Sequence, residues 1–221
     1  MKRIFAFLAV AAAMLAAGNS YAQLSIRAGY APETWKSTVT FNNTSSSTTT
    51  NLTGVFVGAH YNLGVTGDLK LSAGLQYRYN FNKETSSSDI LGIAGGSTES
   101  KMTQSVLDVP VLLNYGLDLT EAMRLSIFAG PTLNLALSGN THYTTTVTVL
   151  GKSTVTETDY DWYGDKSSME TLNVSATFGV NLTYMHFTIF GGYNMGLLDM
   201  DKDNDSKLTT GGFFVGLGYA L

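Results

Sequence analysis

The chain has 221 residues, 44% of them hydrophobic and only 14% charged, with a formal net charge of −4. That is the size of one domain, long enough to close a sheet, but no stretch after residue 22 reaches the ~18 continuous apolar residues of a membrane-crossing helix. A helical membrane protein is therefore excluded, and the absence of cysteine removes disulfides, thiolate metal sites, a cysteine nucleophile and a lipid-modified amino-terminal cysteine.

Residues 1–22 have the pattern of an export signal. Lys2 and Arg3 form the basic start, Ile4 to Ala17 the apolar run, and Ser20-Tyr21-Ala22 the small-residue cleavage site. The mature domain is expected to span 23–221. Removing Lys2 and Arg3 leaves 11 basic residues against 17 acidic ones, a net charge of about −6. With neither basic runs nor aromatic-basic interleaving, that balance disfavours nucleic acid or an anionic surface as a partner.

From residue 24 onward the dominant signal has period two. Leu24–Tyr30, Val55–Tyr61, Leu69–Phe81, Leu107–Leu117, Leu125–Leu135, Leu172–Leu182, Phe187–Leu197 and Phe213–Leu221 each alternate apolar or aromatic residues with polar residues or glycine. Such alternation makes a two-faced strand. The polar face is too small and hydrophilic for a sandwich core, which needs large apolar groups on both facing sheets, so the apolar face is expected to meet lipid. The segment lengths fit tilted transmembrane strands of ~9–11 residues. The predicted fold is all-β: an eight-stranded antiparallel up-and-down transmembrane β-barrel in which closure satisfies every edge.

The spacers alternate too. Short ones at 63–68, 118–122 and 184–186 are expected to face the periplasm, and long ones at 31–54, 82–104, 136–171 and 198–212 the exterior. The long spacers are Ser/Thr-rich and read as surface loops. The exception is Thr144–Val149 and Thr154–Thr158, whose β propensity around Leu150–Ser153 predicts a hairpin above the membrane. Tyr30, Tyr61, Tyr79, Phe81, Tyr115, Tyr184, Tyr193 and Tyr219 sit near strand ends, as interfacial girdles require. Pro110 and Pro131 fall inside strands, where a missing N–H predicts a local bulge at each.

Val106-Leu107-Asp108-Val109-Pro110-Val111-Leu112-Leu113-Asn114-Tyr115 and Phe128-Ala129-Gly130-Pro131-Thr132-Leu133-Asn134 resemble the fourth and fifth strands of the porin-like outer-membrane β-barrel family abundant in Bacteroidota. The layout of 23–221 is also similar to small OmpX- and OmpA-type barrels. The resemblance implies an eight-stranded barrel and residence in the cell outer membrane, and it carries over no catalytic residues. This chain departs from many such barrels in ending Gly218-Tyr219-Ala220-Leu221 rather than on an aromatic residue.

The lumen-facing parity carries Arg27, His60, Lys70, Gln76, Arg78, Asn80, Asp108, Arg124 and Asn134. An eight-stranded barrel is about filled by its own side chains, so charges there must pair, and Asp108 is expected to meet Arg78 or Arg27. A self-satisfied plug is the expected arrangement; a narrow ion path lined by the same residues is the alternative. Asp199, Asp201, Asp203 and Asp205 have a spacing at which carboxylates can converge on a hard cation. The EF-hand pattern is not completed, since Ser206 and Gly212 stand where Gly and Glu are needed, and a solvated acidic loop is expected instead. His142, near Ser138 and Asp159 or Asp161, offers the one outward set that a lipid A-modifying enzyme could use. No cofactor is expected. The expected role is structural or surface-interacting, carried by the outward loops, with a narrow passive channel and a lipid A-modifying enzyme as alternatives. The expected partners are outer-membrane lipid and lipopolysaccharide, the barrel-assembly machinery, and an extracellular ligand the residues do not name.

Overall fold

A computed structural model describes residues 22–41, 44–90, 94–150, 152–164, 167, 169–202 and 206–221. The expected export signal, apart from Ala22, lies outside these residues, as do Asp203 and Asp205. The strands in chain order are β1 (Ala22–Tyr30), β2 (Glu33–Phe41), β3 (Thr44–Thr66), β4 (Leu69–Ile90), β5 (Ala94–Asp118), β6 (Met123–Val149), β7 (Lys152–Asp161), β8 (Leu172–Tyr184), β9 (Phe187–Gly196) and β10 (Ser206–Ala220).

All pairings are antiparallel. The ladder runs β3, β4, β5, β6, β8, β9, β10, and closes back to β3 through β1 and β2 together. β1 and β2 are two pieces of one wall strand, because Ser25↔Ala220 and Val39↔Ser206 lie in one register against β10, as Ala22↔Leu63 and Phe41↔Thr44 do against β3. The break between them falls at Ala31-Pro32, where proline cannot donate to the ladder. β7 hangs on β6 outside the ring. Eight wall positions remain, as expected from the sequence.

Each of the eight alternating segments lies within a strand, apart from Leu197 and Leu221, which fall just past β9 and β10. Outward-facing Leu, Ile, Val, Phe and Tyr of the wall are exposed, among them Ile127, Ile189, Phe213 and Leu217. This apolar surface on an otherwise polar chain is what a lipid belt requires. The girdle tyrosines Tyr30, Tyr79, Tyr115, Tyr184, Tyr193 and Tyr219 are exposed on the same side. Two of the short turns contain residues in the left-handed region that tight hairpins use: Gly67 (φ 50°) between β3 and β4, and Met185 (φ 52°) between β8 and β9.

The long spacers differ from expectation. Much of what reads as loop continues as strand: all of β2, the outer part of β3, β4 to Ile90, β5 from Ala94, β6 to Val149, and β7. Threonine is β-branched and favours extended backbone, and hydroxyl pairs link opposite residues across these ladders. Examples are Thr38 with Ser47 (2.9 Å), Thr40 with Ser45 (3.0 Å) and Thr148 with Ser153 (2.8 Å). The β6–β7 hairpin turns at Leu150 (φ 50°) as the sequence predicts.

The bulges expected at Pro110 and Pro131 are absent. Neither proline shifts the register; the β5–β6 ladder only skips the pairs between Pro110↔Thr132 and Leu113↔Ala129. By that register Pro131 faces Val111, next to Pro110, so the missing donors fall together and the wall absorbs them without an inserted residue. The register shift of this ladder lies elsewhere, at Ser105/Val106, where Leu137 is the extra residue.

Candidate functional site

The inner face of the wall is filled in layers. The first is aromatic. Phe56, Phe128, Phe190 and Phe214, with Leu112 and Ala31, form a buried cluster inside the barrel. Each ring lies over a glycine of the neighbouring strand: Phe56 opposite Gly29, Phe128 opposite Gly179, Phe190 opposite Gly216 and Phe214 opposite Gly192. A Cβ at these glycines would stand 2.5–2.8 Å from the facing ring, so large and small residues alternate to fill the taper. Arg27 places its guanidinium 5.0 Å from the centroid of Phe190, a cation–π contact.

The second layer is a charged network toward the exterior. Arg78 donates through Nε to Asp108 Oδ2 (2.9 Å) and through Nη1 to Glu33 Oε2 (2.5 Å). Asn80 donates to Glu33 (2.7 Å) and to Gln104 (2.7 Å), and Asn134 donates to Asp108 (2.6 Å) while accepting from Ser175. Gln104 donates in turn to the Tyr163 hydroxyl at 2.6 Å, and burial pushes that phenol's pKa up to about 12. Arg78, Glu33 and Asp108 are all buried, and a buried ion group persists only when its remaining donors and acceptors are met in this way. Counting Arg27, the buried charges among the described residues are two cations and two carboxylates.

Toward the periplasm lies a neutral group. Gln76 Nε2 donates to His60 Nε2 (2.9 Å), leaving Nδ1–H for Ser72 Oγ (3.2 Å), the bonding pattern of an uncharged imidazole. Between these layers the wall encloses a cavity of about 30 Å³ bordered by Arg27, Phe56, His60, Arg78, Asp108 and Phe190, among others. That is room for a water or two, not for a hydrated ion path.

The predicted lumen set therefore separates. Arg78 and Asp108 meet, the first of the two pairings expected, and Arg27 goes to the Phe190 ring instead. Arg124 and Lys70 are not members of the cluster. Both sit at strand ends, where the lumen opens to water; Arg124 bonds Asp118 (2.8 Å), Asp68 (3.3 Å) and the Gly116 carbonyl (3.0 Å), tying two periplasmic turns together. Glu33, the second carboxylate, was hidden by the Ala31-Pro32 break. The phenylalanines carried a usable signal: all four stand on the even, lumen parity of their segments.

The exterior mouth is capped. Trp35, Leu52, Trp162, Met200 and Leu208 form a second buried core, with Trp35 and Trp162 edge to face at 4.8 Å. Asp199 serves this cap as a turn acceptor, taking the N–H of Leu208 (2.8 Å) and of Asp201 (3.1 Å), while Asp201 accepts from Ser206 (2.5 Å). Among the described residues no group of His, Cys, Asp or Glu is arranged to hold a metal. His142 bonds Asp159 at 2.6 Å across the β6–β7 hairpin. Ser138 is four residues away along the same strand, about 13 Å at 3.3 Å per residue, so the structure does not bring it to that pair.

Above the cap, the outer parts of β4, β5, β6 and β7 form a four-stranded sheet. From Leu137 to Val149 it extends about 40 Å at 3.3 Å per residue. One face carries Lys83, Lys101, Glu99, His142, Glu157 and Asp159. Glu99 accepts from Lys101 (2.8 Å) and Lys83 (2.9 Å), and these bonds lower its pKa from 4.5 to about 2. The support this group lends the sheet is thus present above the ordinary carboxylate range and lost as pH falls toward 2. An NMR titration should find the Glu99 carboxyl midpoint well below the ordinary carboxylate range, rising when salt screens the exposed pair.

The outer membrane protein β-barrel domain family model matches residues 91–202. Among solved structures the chain is similar to Ail of Yersinia pestis (14% identity, 90% of this chain and 98% of that one, TM-score 0.32). It is also similar to Neisserial surface protein A (14%, 89% and 96%, TM-score 0.37) and to the outer membrane protease OmpT from Escherichia coli (10%, 92% and 98%, TM-score 0.46). No curated protein matches. With half of its length matched by the family model and a closed ring of antiparallel strands around it, this chain belongs to the outer membrane protein β-barrel domain family.

Proposed function

We propose that the chain works at the cell surface as a plugged barrel whose structural or surface-interaction role is carried by its outward sheet. In this reading residues 1–22 direct export, as in the Bacteroidota barrels it resembles, and outer-membrane lipid and lipopolysaccharide surround the belt. The assembly machinery inserts the barrel, and the chain is not an enzyme. The observation that carries the proposal is β7. All ten of its residues are exposed, and among the described residues its ladder pairs it to β6 alone. An open strand edge of that length is a template for another polypeptide.

The outward-pointing donors follow from the register. Trp162 N–H bonds Gly139 O (2.9 Å), continuing the β6–β7 ladder, so even-numbered residues of β7 turn their N–H groups to β6. Ser153, Val155, Glu157, Asp159 and Asp161 therefore point theirs to solvent. Proline at 157 should leave the hairpin intact and remove one outward donor from the edge, whereas proline at 158 should break the hairpin itself. Expected results are adherence of expressing cells reduced severalfold by Glu157→Pro and abolished by replacing 142–159 with a short turn. Both proteins should still migrate differently when boiled and unboiled. Unchanged adherence after the 142–159 replacement would refute the role of the sheet.

A further inference from the structure

The other face of the outward sheet, which leans over the capped mouth, differs in chemistry from the charged one. It carries a shallow groove of about 570 Å³ lined by Thr141, Tyr143, Thr145, Thr158, Tyr160 and Trp162. Tyr143 and Tyr160 pack edge to face, with centroids 5.8 Å apart at 81°. Trp162 forms a buried floor, fixed by its Nε1–H bond to Thr141 Oγ1 (2.8 Å) and by the Trp35 ring. Tyr160 is 59% exposed although it lies far beyond the membrane belt, so lipid does not account for it.

We infer that this groove binds a neutral saccharide, which lies on the Tyr143–Tyr160 pair and hydrogen-bonds the threonine hydroxyls; the inference rests on the surface-interaction reading above. The lining contains no charged side chain, and Glu84, on the same face, stands two strands from Tyr143, about 10 Å away at 4.8 Å per strand. An anionic ligand such as a phosphate or sulfate ester has no cation to meet there. An extended peptide would meet only side chains, because the backbone groups of a sheet lie in its plane and those of β5 and β6 are taken by their neighbours. A lipid chain would have to cover rows of hydroxyls at the cost of desolvating them. A sugar ring offers what the groove lacks and matches what it has: an apolar C–H face for an aromatic ring, and hydroxyls that both donate and accept around its rim. The volume falls within the range of small-molecule sites.

The test is tryptophan fluorescence of the full barrel, refolded in a zwitterionic detergent that has no sugar head group. It is titrated with maltoheptaose, chitohexaose and lacto-N-tetraose, and with dextran sulfate as the anionic contrast. The chain has two tryptophans, Trp35 and Trp162, and both report on the groove floor. The expected result is saturable binding of at least one neutral sugar, equal in low and high salt. It should weaken at least tenfold in Tyr160→Ala and in Tyr143→Ala and be kept in Tyr160→Phe, with heat-modifiable migration intact in all three. No saturable change with any neutral sugar, binding confined to dextran sulfate and lost in high salt, or full affinity in Tyr160→Ala would each overturn the inference. The two proposals separate in the adherence assay. If shortening 142–159 abolishes adherence and the barrel ignores all three sugars, the surface role stands without the saccharide; if sugars bind but shortening changes nothing, the site stands without that role.

Discussion

Replacing Arg78 with methionine is expected to destabilise the folded barrel by about 3–5 kcal/mol, the range for removing one partner of a buried ion group. Arg78 holds Glu33 and Asp108 together. Without it, two buried carboxylates lose the cation they share, and Arg27 is engaged with the Phe190 ring. Asn80 and Asn134 would still donate to them, and this keeps the loss within that range. A guanidinium titration of the refolded protein in lipid or detergent should show the midpoint fall. Adding Glu33→Gln and Asp108→Asn to Arg78→Met should recover much of it, because neutral amides can bond one another without a counter-charge. A loss under 1 kcal/mol would mean that the network is wet and that the lumen is not closed.

Phe128→Ala should cost a similar amount, about 3–5 kcal/mol, through lost burial and the cavity left behind. Phe128 packs within the aromatic layer against Phe214 (6.2 Å between centroids) and over Gly179. The reciprocal change fails for a different reason. A Cβ at Gly179 stands 2.5 Å from the Phe128 ring but also 2.2 Å from the Gly191 carbonyl oxygen, so Gly179→Ala should prevent assembly of a heat-modifiable barrel. Removing the ring in Phe128→Ala/Gly179→Ala should not rescue it, since the backbone contact remains. The pair thus separates a ring that fills space from a glycine that the wall itself requires.

The wall was legible because lipid on one side and a packed lumen on the other impose period two on every strand, and the apolar parity shows through Leu69–Phe81 or Leu125–Leu135 without ambiguity. Of the outward sheet only the β6–β7 hairpin was, through the β propensity of Thr144–Val149 and Thr154–Thr158, because no lipid selects one face there. Ser/Thr repeats such as Thr44–Thr50 alternate nothing, and only register, set from the membrane upward, makes them strands. Within the lumen, Arg78 with Asp108 was readable from parity and the need to pair. Glu33 was not, since Ala31-Pro32 looked like the end of a strand rather than an interruption of one. The aromatic layer is masked in the sequence for the opposite reason. Phe56, Phe128, Phe190 and Phe214 are apolar residues on the polar parity, and each makes sense only with its glycine partner on another strand.

On the function proposed above, this barrel is closed along its axis and acts through what it displays. Conductance of the refolded chain in a planar lipid bilayer, with salt on both sides, is the sharpest test of that closure. The filled lumen and the Trp35–Trp162 cap predict no current from demonstrably folded protein. Stable, reproducible current steps would contradict the account and make the lumen of Arg27, Arg78 and Asp108 an ion path.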